Sequence, residues 1–163
     1  MEVSLESVRA FFKARHREHE IIVLDHSSAT VADAARSLHI PEGQVAKTLG
    51  FNIKGSYALI VVEGDARISN RKYKDFFKAK AKMMTPDELL SETSHPVGGV
   101  CPFGLSTELP VYLDISLKKY ETVFPAAGAI NAAIEIQVNE LEDLVDGEWV
   151  DVCEEHSIQE QLD

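Results

Sequence analysis

Apolar residues recur at three- and four-residue spacing between Ser4 and His16, where Leu5, Val8, Phe11 and Phe12 share a face. This pattern predicts an amphipathic helix with Ser4 as N-cap, or Ser7 in a shifted start. The next apolar run, Ile21-Ile22-Val23-Leu24, is short and of strand type. Thr30 followed by Asp33 carries a helix-start signature, with a short carboxylate in the place of the usual glutamate, and predicts a helix from Val31 to Leu38. After Pro41-Glu42-Gly43, the stretch Val45 to Ile53 alternates with period two. A Lys54-Gly55-Ser56 turn joins it to the apolar run Tyr57 to Val62, and the two predict a β-hairpin.

Downstream, Asn70 to Lys80 reads as a helix with Tyr73, Phe76 and Phe77 on one side, and Ala81 to Met84 as a short strand. Thr85-Pro86-Asp87-Glu88 predicts a helix start, since threonine caps, proline suits the first turn and acids favour the positive end of the helix dipole. That helix ends near Ser94. Strands are expected at Pro110 to Asp114, Glu121 to Pro125 and Ala133 to Val138, with a helical turn at Ile115 to Tyr120. Asn139 caps a short helix to Leu144, Trp149 and Val150 close the sheet, and the polar tail after Cys153 frays. About seven short strands with interspersed helices, not strictly alternating, indicate a mixed α+β fold in one domain over residues 1–163.

Charge changes this picture. The 163 residues carry a formal net charge of −11, which opposes strong non-specific binding to nucleic acid and leaves DNA out as a partner. Yet the segment from Arg67 to Lys82 is basic apart from Asp75, while beyond Glu135 every charged residue is an acid. The basic segment is either a solvated helix face or a local RNA contact. No apolar run is long enough to span a bilayer, and the start of the chain lacks the layout of a signal peptide, so a cytoplasmic protein with no membrane partner is expected. Cys101 and Cys153 form no disulfide framework, and no clustered His/Cys spacing calls for a metal.

Two stretches could carry chemistry. Within His95-Pro96-Val97-Gly98-Gly99-Val100-Cys101-Pro102-Phe103-Gly104, glycines allow close backbone approach and prolines stiffen the chain. It is either a connecting loop with a bulge or a rigid, exposed run of backbone dipoles for a small polar group. Lys47 shares a strand face with Val45 and Leu49; there it is either an edge lysine that discourages pairing or a cation for a phosphate or developing oxyanion. Cys101 is a small packing residue or a nucleophile with His26 or His95 as base. The small residues Ala126-Ala127-Gly128-Ala129 form a close-packed turn or one wall of a tight pocket.

Val45-Ala46-Lys47-Thr48-Leu49, Gly64-Asp65-Ala66-Arg67-Ile68, the Gly98 to Gly104 stretch and Phe124-Pro125-Ala126-Ala127-Gly128 together resemble the YbaK/EbsC family. These are free-standing relatives of the editing domain of bacterial prolyl-tRNA synthetases. The resemblance implies a barrel-like mixed sheet with flanking helices. It also implies a metal-independent, cofactor-free hydrolase that serves translation fidelity by cleaving the ester of tRNA mischarged with Ala, Cys, Ser or Thr. The catalytic group it implies is Lys47 with Gly98, Gly99, Val100, Cys101 and Pro102, where Gly98 and Pro102 stand at the ends of the GxxxP loop. The implied substrate contacts are His26, Thr48, Asp65, Arg67, Lys72, Ala127 and Gly128. The partner is the 3′ end of an aminoacylated tRNA, with an aminoacyl-tRNA synthetase left open as a second. Many members carry Ser or Pro at the Cys101 position, which argues against an obligatory thiol. Ala129-Ile130-Asn131-Ala132-Ala133 replaces the basic-then-acidic residues of the YbaK type and points to another branch.

Overall fold

A computed structural model describes residues 2–155; the expected fraying of the tail lies largely outside them. The first element, α1 (Glu2–Lys13), buries Val8 and Phe12 completely, as its apolar spacing requires. Ser4 is not its cap. It lies one turn inside the helix, buried, with its hydroxyl against His95 Nδ1. A short strand, β1 (Ile21–Val23), precedes α2 (Val31–Leu38), whose N-cap Thr30 accepts from the Asp33 N–H at 3.0 Å.

The hairpin of β2 (Val45–Ile53) and β3 (Ser56–Glu63) turns through Lys54 and Gly55, both at positive φ, as a two-residue hairpin turn demands. The helix α3 (Asn70–Phe77), capped by Ser69, ends short of Lys80 because Lys78 enters the left-handed region at φ 59°. The helix α4 (Pro86–Thr93) has the reciprocal Thr85–Glu88 capping box. There follow β4 (Val111–Asp114), a 3₁₀ turn at Ile115–Lys119, β5 (Thr122–Pro125), β6 (Ala132–Ile134), β7 (Ile136–Gln137), α5 (Val138–Val145) and β8 (Glu148–Val150).

Six strands form one mixed sheet in the order β7-β5-β2-β3-β4-β8, curled into a half-barrel, and β1 pairs with β6 in a separate ribbon. β2–β3 and β5–β7 are antiparallel; the other pairs of the large sheet are parallel. Two local expectations fail. The run Ala133 to Val138 is not one strand: it breaks at exposed Glu135, so that β6 and β7 join different sheets and Val138 opens α5, with Asn139 inside that helix. Ala81 to Met84 makes only a bridge, Met83 to Phe51 on β2.

The central strand β3 is apolar on both faces, and successive side chains divide between two cores. Leu59 and Val61 join Val8, Phe12, Leu113 and Leu141 under α1 and α5. Ile60 and Val62 join Phe51, Tyr73 and Val152 under α3.

Candidate active site

Strand β2 is covered along only part of its outer edge. Val45 and Ala46 pair with β5; at the other end the Met84 N–H donates to the Gly50 carbonyl at 2.9 Å and the Asn52 N–H to the Lys82 carbonyl at 2.8 Å. Backbone groups alternate along a strand, so Ala46, Thr48, Gly50 and Asn52 face this edge. Thr48 lies in the gap, and its N–H and C=O find no backbone partner there among the described residues. Its hydroxyl is buried and likewise unpartnered.

The gap opens into a cavity of 260 Å³. Ser28, Ala29 and the start of α2 form one wall, and Val97, Gly98 and Val100 another. Phe124, Ala126, Ala132 and Ala133 also line it, with Met83 and Leu89 on the remaining side. Small residues dominate the walls.

Lys47 lies on this lining, half-buried. One of its three N–H donors goes to the Ala66 carbonyl at 2.8 Å. Desolvation holds its amine below the ordinary lysine value; the negative side chains of Asp65 and Glu63 oppose that shift and Arg67 adds to it. Asp65 and Arg67 are exposed, on the turn whose carbonyl holds the amine. Their placement bears on Lys47 and not on the cavity wall.

The Gly/Pro loop brings Gly98 and Val100 to the cavity, and their N–H groups donate to nothing among the described residues. Gly98 sits at φ 91°, and a Cβ there would come within 2.8 Å of the Ala29 methyl, so only glycine lets the loop approach the segment that leads into α2. The loop is not exposed throughout. Val97 is 59% exposed, but Gly99, Cys101, Pro102 and Phe103 are buried behind the wall. The Gly99 carbonyl accepts from the Gly128 N–H at 3.1 Å. Gly128 therefore braces the loop from behind, and Ala126, not Ala127, reaches the cavity.

Cys101 is fully buried, and desolvation pushes its thiol up to about 12. A thiol buried off the cavity lining and held protonated gives the nucleophile reading no support. His95 is buried as well and is no base: its Nε2 lies 2.7 Å from the Phe103 carbonyl, which can only accept, so Nε2 carries the proton and Nδ1 accepts from Ser4. The imidazole pins both ends of the loop to α1. His26 is exposed and off the cavity lining, and Lys72 is committed to Asp151 at 3.0 Å, also off it. Among the described residues no three His, Cys, Asp or Glu side chains are grouped to hold a metal ion.

The cavity walls at Ala29, Ala34, Ala132 and Ala133, and the Met83–Leu89 side, were not expected from the sequence. The small-residue pairs Ser28-Ala29 and Ala132-Ala133 are the signal that marks two of these walls.

The half-barrel thus carries a small cavity at a break in its sheet edge, lined by Lys47 and a glycine loop. The sequence profile of the aminoacyl-tRNA editing domain matches residues 25–144, and the chain belongs to that family. The uncharacterized protein YwhH of Bacillus subtilis is 44% identical over 94% of this chain and 99% of its own length. Proline--tRNA ligase of Solidesulfovibrio magneticus is 38% identical over 54% of this chain, a match that spans 15% of the ligase. A crystal structure of a candidate trans-editing enzyme for prolyl tRNA synthetase superposes with TM-score 0.85 at 29% identity, over 93% of this chain and 98% of that one. No helix among the described residues is long and apolar enough to cross a membrane.

Proposed function

We propose that the chain is a trans-acting deacylase of the cytoplasm, which hydrolyses the ester between a small amino acid and the terminal adenosine of tRNA. The observation that carries this reading is that Lys47, the N–H groups of Gly98 and Val100, unpartnered among the described residues, and the open strand edge at Thr48 all border one cavity. An aminoacyl ester is already activated, so its hydrolysis needs positioning and stabilisation of the developing oxyanion more than a nucleophilic side chain. The N–H groups of the loop suit the carbonyl oxygen as it gains charge. Lys47 suits the ribose or phosphate of the terminal nucleotide. A water attacks the carbonyl carbon, the tetrahedral intermediate collapses, and the ribose oxygen leaves with a proton. The alanine-rich walls admit a small side chain and exclude a bulky one, which is the logic of a second sieve.

Likeness to proline--tRNA ligases makes tRNA of the proline type, charged with alanine, cysteine, serine or threonine, the first panel to test. Single-turnover release of the amino acid is the readout. Wild-type protein should release at least one small amino acid, and Lys47→Ala should slow that release by about a hundredfold or more. Binding without turnover, or a Lys47→Ala variant as fast as wild type, overturns the proposal.

A further inference from the structure

We propose that the exposed cationic face of α3 and the segment after it grip the phosphodiester backbone of the tRNA acceptor end, just upstream of the nucleotide held in the cavity. The inference rests on the deacylase reading for its substrate but on separate residues for its evidence. Arg71 and Lys74 stand three residues apart on α3, and with Lys80 they line one shallow groove. All three are exposed, and none forms an ion pair with another described residue. Their neighbour Lys72 behaves differently: it points to Asp151 and is neutralised there. A chain of net charge −11 that leaves such a cluster unpaired holds a local positive field against an acidic surround.

Position supplies the second argument. The cationic segment is tied to the cavity at both ends. At its start, the Ala66 carbonyl next to Arg67 holds the Lys47 amine. At its end, Lys80 leads within three residues to Met83, which lines the cavity and bridges to Phe51. Between them α3 packs on β2 through Tyr73, its ring 5.0 Å from that of Phe51. Phe51 is four residues along the strand from Lys47, or about 13 Å. A nucleotide chain leaving the cavity past Met83 is thereby directed along the segment that leads back to Lys80 and the groove. The acidic remainder of the surface repels the same backbone, so the RNA is steered to a single orientation.

The test uses the full chain and a labelled, uncharged RNA hairpin with the acceptor-stem sequence and a CCA end, titrated by fluorescence anisotropy at several salt concentrations. Arg71→Gln/Lys74→Gln/Lys80→Gln should bind at least about tenfold more weakly at low salt, with the slope of log affinity against log salt shallower by about two units. The charge-keeping variant Arg71→Lys/Lys74→Arg/Lys80→Arg should stay within about threefold of wild type, since point contacts to phosphate need charge more than geometry. Lys13→Gln, on α1 and outside the groove lining, should match wild type. The proposal is overturned if the neutralised variant binds as tightly and with the same slope. It is equally overturned if the charge-keeping variant loses as much affinity, or if neutralisation changes the sedimentation of the protein alone, which would mean that the face pairs with an acidic second copy. The RNA carries no ester, so a wild type that binds it yet releases no amino acid from charged tRNA defeats only the deacylase reading.

Discussion

Cys101 Sγ lies 3.6 Å from His95 Nε2, the spacing of a thiol–imidazole pair, and yet neither group is arranged for attack. The thiol is buried away from the cavity and the imidazole proton is spent on Phe103. Cys101→Ser should therefore keep deacylation within about twofold of wild type, read as single-turnover release, because a hydroxyl also fits a donor site at that carbonyl. A second residue is in the opposite position. The Tyr73 hydroxyl is buried in the α3 core with no partner among the described residues, and an unsatisfied buried group is costly. Tyr73→Phe should raise stability by about 1 kcal/mol in urea unfolding, with ring packing on Phe51 and Phe77 unchanged. At this scale the sequence was informative where a residue broke its pattern, as Lys47 does on an otherwise apolar strand face. It misled where one residue type serves two ends: Ser4 has the chemistry of a helix cap and is used instead to hold a histidine ninety-one residues away.

His95 makes the Gly/Pro loop an element and not a tether. Its ring ties Ser4 of α1 to the far end of the loop, and burial holds its pKa below the ordinary histidine value. The folded state then binds the proton less well than the unfolded state, so stability is full above the unfolded value of about 6.5 and is lost as pH falls below it. Between pH 6.5 and 5 wild-type stability should decline by up to about 1.4 kcal/mol per pH unit, and His95→Gln should flatten that slope in urea titrations at each pH. The loop's back face is equally constrained. A Cβ on Gly99 would fall 2.8 Å from the backbone nitrogen of Ala129, so Gly99→Ala must move one loop or the other. Its thermal midpoint should fall by several degrees, and deacylation should fall with it because Gly98 and Val100 move too. Elements closed by short-range signals were legible in advance: the hairpin from its turn, α2 from Thr30, α4 from its threonine cap, first-turn proline and acids. The break at Glu135 was not, because alternation of side chains says nothing of which sheet a strand will join.

The whole molecule combines a central strand buried on both faces with an uneven distribution of charge along the chain. That the fold is mixed α+β followed from the count and spacing of strands; the order β7-β5-β2-β3-β4-β8 did not, since it is set by pairings between distant segments. The same limit hid much of the cavity, whose walls come from α2, β2, β5, β6 and the loop, brought together only by folding. Charge asymmetry was visible from composition and has a kinetic consequence. Second-order deacylation of charged tRNA should drop about tenfold or more between 50 and 200 mM salt, whereas an aminoacyl-adenosine lacking the upstream phosphates should change little; parallel rate measurements on the two substrates check this. The gap at Thr48 has a last implication. The groups poised to grip a ligand there and at Gly98 and Val100 belong to the main chain, which side-chain changes at Met83, Leu89 and Val97 leave in place, while those three side chains line the remaining space. Grip and gauge are thus physically separable, and trading side chains at the rim would retune the size of group admitted while leaving the main-chain contacts intact.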